Sequence, residues 1–172
     1  FPLYSDEILD RPNLADLDPE TRALIARHGL RNGCLTSIAP TGTTSLLAGN
    51  VSSGIEPVFA YSYIRKVRQY DGSTREEAVE DYAYGVWKRL HGDASPPSDF
   101  FVSAQRLTPP DHLRMQAVAQ EFIDSSISKT VNCPEDISFD QFASVYREAY
   151  DLGCKGLTTY RPNAVTGSVL SV

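Results

Sequence analysis

The chain has 172 residues, of which 41% are hydrophobic, and its formal net charge is −6 at pH 7. This length is sufficient for one domain with a hydrophobic core, or for one part of a larger domain. The acidic balance, with 16 lysines and arginines scattered along the chain, argues against a surface for nucleic-acid phosphates, so no nucleic-acid partner is expected.

Neither a membrane span nor an export signal is predicted. No apolar run approaches the roughly 20 residues that cross a bilayer, and the first residues lack a basic segment followed by an apolar one. The cysteines, Cys34, Cys133 and Cys154, are widely spaced, with no CxxC pair and no histidine at metal-ligand spacing. We therefore expect a cytoplasmic protein without a membrane partner or metal site, whose cysteines are small buried side chains rather than redox or nucleophilic thiols.

The first elements predicted along the chain are an irregular lead-in, a capped helix and a short strand. Residues 1–17 contain two prolines and three aspartates and show no hydrophobic period. Asp18-Pro19 provides an N-cap and a proline at the first helical position, which predicts a helix near residues 19–31. The apolar segment at 35–39 predicts a strand.

A hydroxyl-rich turn follows this strand. Residues 40–45 are Pro-Thr-Gly-Thr-Thr-Ser, and a brief helix is predicted from this turn to Gly49-Asn50. A loop is expected over 52–57, and a partly extended segment, rich in aromatic and β-branched residues, over 58–67.

Two helices are predicted next from their caps and hydrophobic periods. Ser73 and Glu76 form a capping box for a helix that ends at Gly92, and Thr108 with Asp111 opens the second helix. The apolar face predicted for the first helix consists of Val79, Tyr82, Ala83, Val86 and Leu90. The buried stripe predicted for the second consists of Met115, Val118, Ala119 and Phe122.

A strand–helix–strand unit completes the predicted elements. Strands are predicted over 126–132 and 156–161, and between them Ser138 and Gln141 cap a helix that ends at Gly153. The face predicted for this helix consists of Phe142, Val145, Tyr146, Ala149 and Leu152. Because this spacing is typical of parallel strands, we predict an α/β fold with parallel strand–helix–strand units, whose ligands lie beyond the carboxyl ends of the strands.

The turn at 40–45 has two interpretations. Amide groups at a helix start, flanked by three threonines and a serine, can bind a phosphate without a fixed cation. Alternatively, Thr41 and Thr43 are ordinary caps and Gly42 is a tight-turn residue. Thr43-Thr44 follows Gly42 where a P-loop has a lysine, so the pattern favours holding a diphosphate over transferring its phosphoryl group.

Other polar residues carry weaker indications. Glu56 is either a general base or a structural acceptor for loop amides, and the second reading is favoured for a lone carboxylate. Arg65, Lys66 and Arg68 form a basic group that either contributes to phosphate binding or, as favoured here, lies at a solvated strand end. The histidines are His28, His91 and His112. They are far apart in sequence, so we expect surface or helix-packing roles, with no metal cluster and no catalytic dyad.

Four motifs carry a resemblance to a known family. Two are Thr-Ser-Ile-Ala-Pro-Thr-Gly-Thr-Thr-Ser at 36–45 and Asn-Val-Ser-Ser-Gly-Ile-Glu-Pro at 50–57. The others are Asp-Ser-Ser-Ile-Ser-Lys-Thr-Val-Asn-Cys-Pro-Glu-Asp at 124–136 and Leu-Gly-Cys-Lys-Gly-Leu-Thr-Thr-Tyr-Arg-Pro-Asn at 152–163. With these motifs, the chain resembles the adenosylcobalamin-dependent (class II) ribonucleotide reductases from about residue 28 to residue 167.

The resemblance implies the carboxy-terminal part of a ten-stranded α/β barrel that reduces ribonucleotides to deoxyribonucleotides by a thiyl radical. It implies adenosylcobalamin as the cofactor of the full-length enzyme, a ribonucleotide as substrate, and the remainder of the barrel and a thioredoxin-type reductant as partners. The residues that it assigns to substrate phosphate are Thr41, Gly42, Thr43, Thr44 and Ser45. The expected organisation is a lead-in at 1–17, a barrel segment at 18–167 and a tail at 168–172.

The chain also departs from the family's pattern. The family's radical cysteine lies in an Asn-x-Cys-x-Glu loop, whereas Asn32-Gly33-Cys34 lacks the glutamate two places on. No catalytic residue is therefore assigned, and the segment is expected to be inactive alone. The iron-dependent reductases carry adjacent tyrosines near the last barrel strands, where this chain has Thr158-Thr159, which favours the cobalamin-dependent class.

Two other hypotheses stay open from the sequence. One is a stand-alone α/β module that binds nucleotides without catalysis. The other is a purely structural fragment whose turn at 40–45 is misformed without the rest of the barrel, with sheet edges left exposed.

Overall fold

The computed structural model describes residues 1, 4–162 and 170–171. Its helices are a 3₁₀ helix at Asp6–Asp10, α1 (Pro12–Ala15), α2 (Pro19–His28), α3 (Gly42–Leu47), α4 (Tyr82–His91), α5 (Pro109–Gln120) and α6 (Phe139–Asp151). Its strands are β1 (Ser62–Arg68), β2 (Thr74–Glu80), β3 (Thr130–Asn132), β4 (Thr158–Tyr160) and β5 (Leu170–Ser171). Strand β1 lies between β2 and β5 in an antiparallel sheet, and β3 pairs with β4 in a parallel one. The structure is thus mixed α/β.

Three helices begin where their local caps predict. The Asp18 carboxylate accepts a hydrogen bond from the Thr21 amide at 2.9 Å, which starts α2. Capping boxes at Thr108 and Ser138 start α5 and α6. Helix α2 ends at His28, before the predicted end near residue 31, because Gly29 turns the chain with a φ of 78°.

The lead-in is more ordered than predicted. It contains the 3₁₀ helix and α1, and Leu14 of α1 is buried. The Arg22 guanidinium of α2 donates to the carbonyl oxygens of Leu9 and Leu14 at 2.9 and 2.6 Å. These short helices therefore depend on contacts with α2, which local sequence does not reveal.

The strand predicted at 35–39 is wrong as a regular element. The segment is not part of a ladder, although the amides of Ser125 and Ser128 donate to the carbonyls of Thr36 and Ile38 at 3.1 and 3.0 Å. The Asp124 carboxylate accepts hydrogen bonds from the amides of Leu35 and Thr36 at 2.8 and 3.1 Å. A side chain therefore binds the amides that a neighbouring strand would bind in a sheet.

The helix predicted from Ser73 to Gly92 is wrong in its first half. Residues 74–80 form β2, which pairs with β1 across a turn in which the Asp71 carboxylate accepts from the Ser73 amide at 2.9 Å. Helix α4 begins later, where Asp81 accepts from the Tyr84 amide at 2.9 Å. Asp71-Gly72 is a typical hairpin turn, and it allows β1 and β2 to pair. Seven cross-strand residue pairs then keep residues 74–80 extended.

The buried stripe predicted for α5 is also wrong. Met115, Val118 and Phe122 are exposed by 58%, 61% and 76%. The buried residues of this helix are His112, Leu113, Gln116 and Gln120. The glutamines are buried because their amides bind backbone: Gln116 donates to the Gly156 carbonyl at 2.6 Å, and Gln120 to the Ile123 carbonyl at 2.8 Å.

The predicted parallel strand–helix–strand unit is confirmed. Strands β3 and β4 pair in parallel with α6 between them in sequence, although each has three residues where a longer strand was predicted. The core consists of Leu113, Val131, Cys133, Val145 and Ala149, with Phe142 packed against it. Of the remaining residues on the predicted α6 face, Tyr146 and Leu152 are exposed by 44% and 40%.

The predicted boundary between barrel segment and tail, at 167–168, lies outside the described residues. Of the tail, residues 170–171 form β5 beside β1. Across the described ranges, no helix has the length and apolar character needed to cross a membrane.

Candidate functional site

The turn predicted to bind phosphate is exposed and has few internal hydrogen bonds. Thr41 has a φ of 47° and its side chain forms no cap, so the capping interpretation does not hold for this residue. The first helical bond runs from the Ser45 amide to the Thr41 carbonyl at 2.8 Å, which leaves the preceding amides of the turn without an intrahelical acceptor. Thr43 and Thr44 are exposed.

Ser45 differs from its neighbours in the turn. It is buried, and its hydroxyl donates to the carbonyl of Val51, so it ties α3 to the loop that follows. Asn50, which follows α3, binds the hairpin through its side chain. Its amide donates to the Glu80 carbonyl at 3.1 Å, and its oxygen accepts from the Tyr63 hydroxyl at 3.0 Å. The turn at 41–45 is therefore anchored on the β1–β2 hairpin.

A cavity of about 640 Å³ lies beside this turn. Its walls come from the start of α3, the loop at 50–60, strand β1, and strands β3 and β4. Gly42 and Ser45 line it, together with Asn132 and Tyr160 at the carboxyl ends of the two parallel strands. Thr41, Thr43 and Thr44 are not among the lining residues. Thr130 and Thr158, the first residues of β3 and β4, line it too, so the structure brings one end of the predicted turn to a cavity that runs along both strands.

The loop at 52–57 is held by a buried ionic cluster that sequence analysis missed. The Lys129 side chain is 1% exposed, and its ammonium lies 2.7 Å from Glu56 Oε2, His112 Nδ1 and the Thr130 carbonyl oxygen. Glu56 Oε1 accepts from the Thr130 amide. Glu56 is therefore a structural acceptor, as favoured from the sequence, and it joins the loop to the start of β3.

The hydrogen bonds assign the protonation states in this cluster. An ammonium has three protons and no lone pair, so with three acceptors around it the Nδ1 atom of His112 must accept. The imidazole proton then lies on Nε2, which faces the Ala104 carbonyl at 3.3 Å. Burial lowers the pKa of His112, and the charge of Lys129 lowers it further. Burial lowers the pKa of Lys129, and Glu56 opposes that effect.

A period-two pattern is the signal that could have identified Lys129. Ile127, Lys129, Val131 and Cys133 alternate along the chain, and all are buried by more than nine-tenths. A lysine on the inward face of a strand needs partners, because an isolated buried ammonium is strongly unfavourable. Its partners, Glu56 and His112, come from distant segments that the pattern does not indicate.

The remaining candidate residues lie apart from the cavity. His28 and His91 are exposed, and His91 stacks on Trp87 with ring centroids 3.9 Å apart. Cys133 is buried, but Cys34 is exposed and Cys154 is half-buried, which corrects the expectation that all three cysteines are buried. The segment around Cys34 belongs to no helix or strand. Burial raises the pKa of the Cys133 and Cys154 thiols and so disfavours the reactive thiolate. The described residues hold no group of three or more potential metal ligands from His, Cys, Asp and Glu.

The basic residues at 65–68 lie on two different faces of β1, because side chains alternate along a strand. Lys66 and Arg68 are exposed, and Lys66 lies 3.9 Å from Glu76 in a solvated ion pair. Arg65 is half-buried and lines the cavity. The prediction of a solvated strand end therefore holds for two of these residues and not for Arg65.

Comparisons with known proteins agree on one family. The family model described as "Ribonucleotide reductase, barrel domain" matches residues 11–160. The chain is 35% identical over 160 residues to a vitamin B12-dependent ribonucleoside-diphosphate reductase of Thermoplasma acidophilum, covering 83% of this chain and 20% of that protein. It is also 35% identical over 171 residues to a protein of the same name from Mycobacterium tuberculosis, covering 88% of this chain and 24% of that protein.

A solved structure shows the same fold. The crystal structure of a B12-dependent (class II) ribonucleotide reductase matches 78% of this chain and 20% of its own chain, with a TM-score of 0.55 at 16% identity. The chain thus spans about a fifth to a quarter of the length of the relatives that it matches.

Proposed function

The chain belongs to the ribonucleotide reductase barrel-domain family, and we propose that it is a segment of an adenosylcobalamin-dependent ribonucleoside-diphosphate reductase. The complete protein would reduce ribonucleotides to deoxyribonucleotides in the cytoplasm, with a thioredoxin-type protein as reductant. Within it, this chain would be the carboxy-terminal part of a ten-stranded barrel, and it would be inactive without the remainder of that barrel. The names of the relatives from two distant organisms support this proposal.

The proposed role of the segment is to hold the phosphate groups of the substrate at Thr41, Gly42, Thr43, Thr44 and Ser45. The observation that carries this role is the exposed turn beside the cavity along β3 and β4, since its leading amides and threonine hydroxyls have no partners among the described residues. Amide and hydroxyl donors without internal acceptors are available to phosphate oxygens. Ser45 would contribute its backbone position, because its hydroxyl is already bound to Val51.

The residues that line the cavity do not fit as the metal contact of a cobalamin, which would need a donor such as an imidazole or a thiolate. No histidine or cysteine lines the described cavity, and both ring nitrogens of His112 already face partners. We therefore assign no cobalt ligand to this segment.

The radical cysteine is likewise placed outside this chain. Cys34 follows Asn32-Gly33 as in the family's motif, but it lacks the glutamate and is not among the described lining of the cavity. The segment would position the substrate while residues elsewhere in the complete protein carry the radical.

Calorimetric titration of the 172-residue chain with inorganic diphosphate tests the phosphate site. We expect Thr43→Val and Thr44→Val together to raise Kd about tenfold, because two hydroxyl donors are lost at about 1 kcal/mol or less each. Thr74→Val is the matched control, since Thr74 is an exposed residue of β2 that does not line the cavity. Equal Kd values for the double variant and the control would overturn the assignment of the turn.

A further inference from the structure

The cavity beside the turn carries an unbalanced positive charge. Among the described residues that line it, only Glu56 and Arg65 are charged at neutral pH. Glu56 is neutralised by Lys129, whose ammonium lies 2.7 Å from its carboxylate. Arg65 has no hydrogen-bond or ion-pair partner within the described ranges. One guanidinium at this cavity is thus left without an ion pair among the described residues.

The hairpin makes this arrangement unusual. Arg65 stands directly across from Glu77 in the β1–β2 register, where an opposite charge ordinarily pairs. Glu77 instead binds Arg75, its neighbour on the same strand. The alternation of β1 places Tyr63, Arg65 and Val67 on the half-buried face, which Glu77 of β2 shares, whereas Glu76 and Glu80 lie on the exposed face.

A half-buried guanidinium without an acceptor is unfavourable, because part of its hydration is lost and nothing replaces it. Its planar set of five N–H donors matches the oxygen atoms of a phosphate in paired hydrogen bonds. The same cavity is lined by Gly42 and Ser45, and the amides at the start of α3 that lack an intrahelical acceptor are neutral donors without charge. The turn and Arg65 thus offer complementary contacts to one anion.

We infer that Arg65 binds a phosphate group of the ligand in this cavity and supplies the cationic charge that the turn at 41–45 lacks. The inference rests on the proposed function, since it concerns the same site. It adds a residue from a different element, the hairpin, and it makes affinity depend on the charge of the ligand and on ionic strength.

The test is calorimetric titration of the 172-residue chain with inorganic diphosphate at low and at physiological salt. Arg65→Gln should raise Kd about tenfold or more and flatten the salt dependence, because a charge-assisted hydrogen bond is lost. Arg65→Lys should raise Kd less, since it keeps the charge but loses the paired geometry. Arg68→Gln is the matched control, because Arg68 lies on the same strand, is exposed and does not line the cavity.

The outcomes separate this inference from the proposed function. If the Thr43→Val, Thr44→Val double variant weakens binding while Arg65→Gln does not, phosphate binding by the turn is retained and the role of Arg65 is overturned. If Arg65→Gln and Arg68→Gln weaken binding equally, the effect is one of net charge, and the inference also fails. If the unsubstituted chain binds no diphosphate, both the phosphate site and the inference fail. Circular dichroism and the thermal midpoint of each variant show whether a loss of binding reflects a loss of fold.

Discussion

The turn at 41–45 and the Lys129–Glu56–His112 cluster are both polar, yet they use their polar groups in opposite ways. In the cluster, every proton of the Lys129 ammonium has an acceptor at 2.7 Å and the side chain is 1% exposed. In the turn, Thr41, Thr43 and Thr44 are exposed, and the Thr41 side chain caps nothing. The two regions meet at one cavity, which both Ser45 and Glu56 line.

This difference indicates how scaffold and binding surface are divided. A buried polar group that is fully hydrogen-bonded within the protein has no capacity left for a ligand, and removing one partner is costly. Donors that lack internal acceptors cost little to the fold and are available to a ligand. We therefore expect substitutions in the cluster to change stability and substitutions in the turn to change binding.

Lys129→Met should have the largest effect. It leaves the Glu56 carboxylate and His112 Nδ1 without their donor, so the free energy of unfolding should fall by about 3 kcal/mol. Urea unfolding followed by circular dichroism measures the change. Lys88→Met is the control, because Lys88 forms an exposed pair with Glu80 at 2.8 Å and its loss should leave the unfolding midpoint unchanged. Similar midpoints for the two variants would show that the cluster does not stabilise the fold.

Two glycines, Gly54 and Gly42, test the same contrast between effects on stability and effects on binding. Gly54 has a φ of 58°, and a Cβ atom there would lie 2.7 Å from the Ala39 carbonyl oxygen, so Gly54→Ala should cost about 2 kcal/mol. Gly42 has no atom within 4 Å of the corresponding position, so Gly42→Ala should leave stability within about 0.5 kcal/mol. Because Gly42 lines the cavity, its variant should weaken diphosphate binding instead. A Gly42→Ala variant that unfolds easily would contradict the division into scaffold and binding surface.

The pH dependence of stability should show the smallest effect. The pKa of His112 is lowered in the folded state, so below the ordinary histidine value of about 6.5 the unfolded chain binds a proton that the folded chain does not. Stability should therefore fall as the pH falls below about 6.5, by at most about 1.4 kcal/mol per pH unit. Carboxylates with lowered pKa values, such as Asp124, lose their contribution only at more acidic pH.

Urea midpoints between neutral and mildly acidic pH measure this slope. His112→Gln should remove most of it, because glutamine does not titrate and its amide oxygen can still accept from Lys129. A slope that persists in this variant would assign the effect to another group.

Elements with local signals were predictable, and elements that need a distant partner were not. Helices α5 and α6 begin at the predicted caps, Thr108 and Ser138, because a capping box satisfies its own backbone amides within four residues. Strand β2 was mistaken for the start of a helix, because Ser73 and Glu76 fit a capping box and Val79 continues the period of α4, while the strand exists through its pairing with β1. The exposed face of α5 was mistaken for its buried face, because hydrophobicity does not indicate that Gln116 and Gln120 bind backbone carbonyls.

The capped helices and the motifs that resemble the reductase family were readable from the sequence, since each depends on neighbouring residues, and the spacing of α6 between two strands indicated their parallel pairing. Which polar groups are satisfied became apparent only in the folded chain. Glu56 and Arg65 each carry one charge, of opposite sign, but folding brings Lys129 to Glu56 and leaves Arg65 without an ion pair among the described residues. Hydrogen bonding and charge compensation depend on distances between segments far apart in the chain, and these distances exist only after folding.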